Sequence, residues 1–196
     1  MSKFVVVCGL DGSGKSTQAT LLAKWLRSKN KRALLTREPT ESQIGNLIRR
    51  ILRCDFKVSP CSLQLLFAAD RADHLEREIE PALNKEKIVV SDRYILSSLA
   101  YGSLEVELDF LKKINSGFRE PDLTLIIDTP PHVCIERMRR CKTHMELFEN
   151  EEKMKEIRKN YLALKGYFPN AFIVEGDKKK EEVFDRIKEI LEEENL

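Results

Sequence analysis

The chain has 196 residues, 42% of them hydrophobic and 34% charged, which suits one compact domain with a real core and argues against wholesale disorder. Its 34 Lys+Arg against 32 Asp+Glu leave a formal charge of +2, so no general nucleic-acid coat is expected and any functional positive charge must be local.

No apolar run approaches the ~18–20 residues that cross a bilayer. The N-terminal MSKFVVVCGLDGSGKST runs straight into glycines without the cleavage pattern of a secretory signal. The five cysteines (Cys8, Cys54, Cys61, Cys134, Cys141) are scattered and form no C-x-x-C pair, which disfavours a zinc site or a disulfide framework. A cytoplasmic protein without a membrane partner is expected.

In chain order, FVVVCG (4–9) is β-branched and apolar on both faces, the pattern of a buried parallel strand. Residues 15–28 follow with helical periodicity, carrying Leu21, Leu22, Trp25 and Leu26 on one side. RALLTR (32–37) predicts a second strand, and Ile44, Leu47, Ile48, Ile51 and Leu52 a helical stripe. Pro60 opens a long helical segment to about residue 84, and KIVVSDR (87–93) predicts a third strand. Helical segments near 94–101 and 106–115 precede a fourth strand, DLTLIID (122–128). Two more helices near 132–141 and 149–165, a fifth strand AFIVEG (171–176) and an amphipathic helix over 180–194 complete the chain. Strands alternating with helices imply crossovers, hence an α/β fold whose parallel sheet is covered by helices on both faces. Such sheets bind ligands at the carboxyl ends of their strands.

The first strand ends in Gly9-Leu10-Asp11-Gly12-Ser13-Gly14-Lys15-Ser16-Thr17, which fits G-x-x-x-x-G-K-[ST] between a strand and a helix. Glycines let successive backbone N–H groups turn inward toward phosphate oxygens, and the following helix adds its positive end. Lys15 can reach the β- and γ-phosphates and the Ser16 hydroxyl can ligate Mg²⁺. The motif specifies a nucleoside triphosphate and leaves the phosphoryl acceptor open.

Four further segments bear on the acceptor: TREPT (36–40), LLFAADRADH (65–74), Asp92-Arg93-Tyr94 followed by SSLAY (97–101), and the basic cluster Arg137, Arg139, Arg140 and Lys142 ahead of Leu147-Phe148-Glu149. In this order DGSGKST, TREP, LLFAADRA, DRY-x-x-SS-x-AY, PDLTLIID and FE followed by KNYL resemble the thymidylate kinase family of P-loop kinases over essentially the whole chain. The resemblance implies a single three-layer domain over 1–196 with a five-stranded parallel sheet and a short mobile lid at about 137–149. It also implies transfer of the ATP γ-phosphoryl group, with Mg²⁺, to thymidine 5′-monophosphate, and a homodimer.

The residues carry a compatible chemistry. Phe67 and Arg71 are four apart and share a helix face, so a ring can stack on a base while a guanidinium reaches its edge; the same spacing also fits a core aromatic and a surface charge. The resemblance assigns Phe67 to base stacking and Arg71 to a base carbonyl. Arg37 and Arg93 each follow a strand and can clamp the acceptor phosphate, or form ion pairs with Glu38 or Asp92. Asp92 closes IVVSD and is favoured over Asp128 as the carboxylate that holds Mg²⁺, because the third strand is expected beside the first. The resemblance further implies that Asp11 orients the acceptor's sugar hydroxyl or phosphate, that Ser97 belongs to the acceptor site, and that Tyr101 packs where a ribose 2′-hydroxyl would sit. One subgroup of the family carries an Arg at the position of Gly12; here Arg139 or Arg140 is the candidate cation in its place.

Two departures stand out. The family often reads REPGGT where this chain has Arg37-Glu38-Pro39-Thr40-Glu41, and its bacterial form often reads AYQG where Tyr101 is followed directly by Gly102. A broader pyrimidine monophosphate range, deoxyuridylate included, remains an alternative acceptor set. A non-catalytic nucleotide switch is a further alternative, although Arg37 and Arg93 have no evident job in one.

Overall fold

A computed structural model describes residues 2–140 and 150–194. Five strands, β1 (Lys3–Gly9), β2 (Ala33–Arg37), β3 (Ile88–Asp92), β4 (Leu123–Asp128) and β5 (Ala171–Glu175), form one parallel sheet in the order β2-β3-β1-β4-β5. The expected strands are all present, and β3 lies beside β1 as anticipated, with Val7 opposite Asp92.

Alternation along β1 builds two cores. Phe4, Val6 and Cys8 face one way, with Val89 and Ile126, while Val5 and Val7 face the other, with Ile88, Val90, Leu125 and Ile127. Helices α1 (Lys15–Ser28) and α9 (Lys180–Glu193) cover the second face through Leu22, Leu26, Ile187 and Ile190. On the first face lie α2 (Gln43–Leu52), α3 (Pro60–His74), α4 (Glu80–Asn84), α5 (Ile95–Gly102), α6 (Leu108–Asn115), α7 (Pro131–Arg139) and α8 (Glu151–Ala163). With both faces buried, the strands need no polar alternation, which is why they read as unbroken apolar runs.

The long helical segment after Pro60 is interrupted, in a way its periodicity does not announce. Residues Leu75–Ile79 form a π-helical stretch between α3 and α4. Pro81 lies just beyond it, and its ring cannot donate to, and crowds, the carbonyl four residues back, so a widened turn accommodates it. After α8 the chain tightens into a 3₁₀ turn at Leu164–Tyr167. Among the described residues no helix is long and apolar enough to cross a membrane. Of the expected lid, residues 141–149 lie outside the described residues.

Candidate active site

The phosphate-loop motif sits where β1 gives way to α1. Gly14 is the N-cap of α1 at φ 98°, and no side chain caps the helix there. No acidic residue occupies its first turn, so the unpaired amides and the positive end of the helix are left for an anion. Ser13 N–H donates to the Leu10 carbonyl at 3.1 Å and closes the loop. Gly12 adopts φ 79°, and a Cβ there would collide with the Cys134 carbonyl of α7, so no side chain fits at this position.

Asp11 is the hub of the site. Lys15 Nζ donates to its Oδ1 at 3.1 Å, Arg93 Nη2 to the same oxygen at 2.6 Å, and Tyr101 Oη to Oδ2 at 3.2 Å. Burial opposes ionisation of this carboxyl, but Arg93 and Lys15 overcome it and hold Asp11 well below the usual carboxylate range. Arg93 follows β3 with φ 74°, a left-handed conformation that only a fixed surrounding makes tolerable. Its N–H donates to the Val7 carbonyl at 2.9 Å, and its guanidinium carbon lies 4.8 Å from the centre of the Tyr101 ring. Tyr101 meets Tyr161 edge-on, and the Tyr161 hydroxyl donates to Ser97 Oγ at 2.8 Å.

Beside this hub lies a cavity of about 250 Å³ whose wall includes Asp11, Lys15, Ser16, Phe67, Arg71, Asp92, Arg93, Ser97 and Tyr101. The structure thus brings together the loop, the third-strand acid and the acceptor residues expected from the sequence. Asp92 Oδ1 is buried there without a hydrogen-bond partner. Asp128, the competing carboxylate, is instead gripped by Arg158 Nε and Nη2 at 2.6 and 2.8 Å.

Arg71 is no surface charge: its side chain is 1% exposed. It donates to Glu38 Oε2 through Nε and Nη2 at 3.0 and 2.6 Å, to Ser98 Oγ at 2.9 Å and to Asn115 Oδ1. Four of its five N–H groups are thereby occupied, and Arg71 is also part of the cavity wall. His74 Nδ1 stands 3.3 Å from the other Glu38 oxygen. Asp70 accepts from Thr40 N, Thr40 Oγ1 and Ser42 Oγ at 2.8, 2.6 and 3.0 Å, pinning the turn that carries Glu38.

Arg37 behaves differently from Arg93. It is at the cavity's edge but 62% exposed, and it pairs with Glu41. Edge strand β2 delivers it to the rim, where Glu41 supplies a carboxylate partner. Arg49 on α2, which nothing in the spacing marks, joins the same rim: it donates to the Pro39 carbonyl at 2.8 Å and pairs with Glu41 at 3.0 Å. Arg139 and Arg140 are exposed, outside the cavity wall, with Arg140 paired to Glu136 at 2.5 Å. Arg137, grouped with them by sequence, reaches the loop itself, donating to the Ser13 carbonyl at 3.3 Å and to the Gly176 carbonyl after β5 at 3.2 Å.

A phosphate-loop motif between β1 and α1 of a five-stranded parallel sheet, beside a pocket lined by Arg71 and Arg93, fits a P-loop phosphotransferase. The sequence profile of the thymidylate kinase family matches residues 7–187. The chain is 40% identical to a protein of Pyrococcus horikoshii described as a probable thymidylate kinase, over 98% of this chain and 97% of the relative. It is 36% identical to a putative thymidylate kinase of Treponema pallidum, over 92% and 89%. The structure of a thymidylate kinase from Candida albicans superposes with a TM-score of 0.86 at 27% identity, over 99% of this chain and 92% of the other. The chain belongs to the thymidylate kinase family. It is accordingly a nucleoside monophosphate kinase, an ATP-dependent transferase.

Proposed function

We infer that the enzyme moves the γ-phosphoryl group of ATP to thymidine 5′-monophosphate, releasing ADP and thymidine 5′-diphosphate. A single observation supports this most strongly: one carboxylate, Asp11, ties Lys15 of the phosphate loop to Arg93 of the adjoining cavity, so two phosphate-gripping cations stand side by side. An acceptor phosphate oxygen must attack the γ-phosphorus in line with the departing ADP oxygen, while both nucleotides carry negative charge. Lys15 and the loop amides hold the donor, Arg93 holds the acceptor phosphate, and Arg37 and Arg49 supply further positive charge at the rim. Position and charge compensation do the work, with no covalent intermediate. Phe67 stacks on the base, the remaining Arg71 N–H meets a base carbonyl, and Tyr101 and Ser97 border the sugar.

Mg²⁺ fits the donor set. Asp92, with its orphaned oxygen, and Ser16 line the same cavity, and Mg²⁺ is commonly bound by one or two protein oxygens together with substrate phosphates. When bound, it supplies neutralisation of charge on the phosphate oxygens. Asp92 is favoured over Asp128, whose oxygens are taken by Arg158. The same reading includes a single domain over 1–196 with its lid near 137–149, a cytoplasmic enzyme and a homodimer; sedimentation velocity tests the last.

A coupled assay with ATP and Mg²⁺ across thymidine, deoxyuridine and uridine monophosphates tests the assignment. Thymidylate is expected to give the highest kcat/KM. A higher kcat/KM for deoxyuridine or uridine monophosphate would overturn the assignment of thymidylate as the acceptor.

A further inference from the structure

We propose that Gln64 reads the pyrimidine edge of the acceptor, as a specificity-determining residue that works beside Arg71. The inference rests on reading the cavity next to the phosphate loop as the acceptor site. Gln64 is 4% exposed, yet it lines that cavity. Its Oε1 is buried and has no hydrogen-bond partner. Buried acceptors are rarely left so, because each forfeits its bonds to water without replacement. An unpaired acceptor on a residue of the pocket wall is suited to a donor that arrives with the ligand, once the amide turns from α5 toward the cavity.

The placement favours the base over the sugar or phosphate. Gln64, Phe67 and Arg71 lie at i, i+3 and i+7 of α3, so a stacking ring, a guanidinium and an amide share one helix stripe. The cations read as phosphate-binding lie elsewhere on the wall, Arg93 just after β3 and Lys15 at the start of α1. Arg71 can only donate, so it selects a base carrying a carbonyl. In thymine and uracil the carbonyl at position 4 adjoins a protonated N3, whereas cytosine carries an amino group there and an unprotonated N3. The Gln64 carbonyl accepts the N3 hydrogen, and its own NH₂ can donate to a neighbouring base carbonyl. Arg71 and Gln64 together thus present the complement of an imide edge.

The space for this amide comes from α5. A Cβ at Gly102 would stand 2.8 Å from the Gln64 amide carbon and 2.9 Å from Oε1. Gly102 is the last residue of α5 and has no positive φ, so alanine suits its backbone, and the crowding falls on the end of the Gln64 side chain and on Leu111.

The test compares thymidine 5′-monophosphate with its N3-methyl analogue on the wild-type enzyme, Gln64→Ala and Gly102→Ala, with unfolding midpoints recorded for each. The wild type should turn over the methylated acceptor with kcat/KM lower by about 10- to 100-fold, chiefly through KM. Gln64→Ala should lose a similar factor for thymidylate and leave the ATP KM unchanged. Because the alanine removes the amide and leaves room for the methyl, the two acceptors should then differ by less than about 3-fold. Gly102→Ala, which displaces the amide without deleting it, should move in the same direction and decides the matter if Gln64→Ala does not fold. Equal use of both acceptors by the wild type overturns the proposal, as does a methyl penalty that persists in the folded variants. In either case, thymidylate turnover by the wild type leaves the acceptor reading standing. A wild type that does not phosphorylate thymidylate overturns both.

Discussion

Arg93 and Asp11, 82 residues apart in sequence, are joined by a 2.6 Å charged hydrogen bond, and the Asp11 oxygen that accepts it also accepts from Lys15 at 3.1 Å. The acid inside the phosphate loop therefore fixes the spacing between Lys15 and Arg93. It also helps to hold Arg93 in a left-handed conformation that the side chain alone would not choose.

Asp11→Asn keeps the shape and removes the charge that anchors both cations. Their displacement should lower acceptor kcat/KM by about 10²-fold, read in a coupled assay. The same variant has a pH signature. Asp11 ionises in the folded protein well below its ordinary value of about 3.9, so an unfolded chain takes up a proton there that the folded chain refuses. The stability it contributes is full above about pH 4 and falls as pH drops below that. Urea unfolding at a series of pH values should show a shallower acid-side loss in Asp11→Asn than in the wild type.

Glu38→Ala should be among the most destabilising single changes near the site. Glu38 and Arg71 are 3% and 1% exposed, so the variant strands a buried guanidinium. Loss of one partner from such a pair costs about 3–5 kcal/mol, measured by denaturant unfolding. Acceptor KM should rise as well, because Arg71 loses the carboxylate that orients it.

This pair marks where the sequence stops being legible. The five strands are readable because both sheet faces are buried, and α1 runs over the residues its periodicity predicts because glycine opens it and its apolar stripe is unbroken. Arg71 can be picked out from its spacing to Phe67, but its partners Glu38 and Asn115 are 33 and 44 residues away, and no local period reports a contact of that range. Arg37 reads as the equal of Arg93 because both close strands. Only the strand order shows that β2 is an edge, where an arginine can turn to solvent and to Glu41. Gln64 is invisible for a different reason: a single polar residue in a helical stripe looks like a surface position until the cavity behind it is known.

Gly12→Arg should not restore the loop cation found in part of the family. The backbone there is left-handed and the Cβ would meet the Cys134 carbonyl, so α7 or the loop must move. A loss of at least ~1–3 kcal/mol in stability is expected, together with weaker ATP binding, by thermal unfolding and calorimetry.

With position 12 closed to side chains, we propose that Arg139 or Arg140, at the C-terminal end of α7, supplies the cation that part of the family carries there. Single alanine variants should separate them. The residue that supplies transition-state charge should lose about 10³-fold or more in kcat with unchanged thymidylate binding, and the other should change by less than ~3-fold.

In the proposed reaction Arg93 acts at the acceptor phosphate, beside a loop whose Lys15 holds ATP. The most direct measurement is turnover of ATP with thymidine 5′-monophosphate by Arg93→Ala, alongside Lys15→Met, with the fold of each checked by its unfolding midpoint. Both variants should remain folded and lose transfer by about 10³-fold or more, and Arg93→Ala should still bind ATP. Near-normal turnover by folded Arg93→Ala would contradict the account.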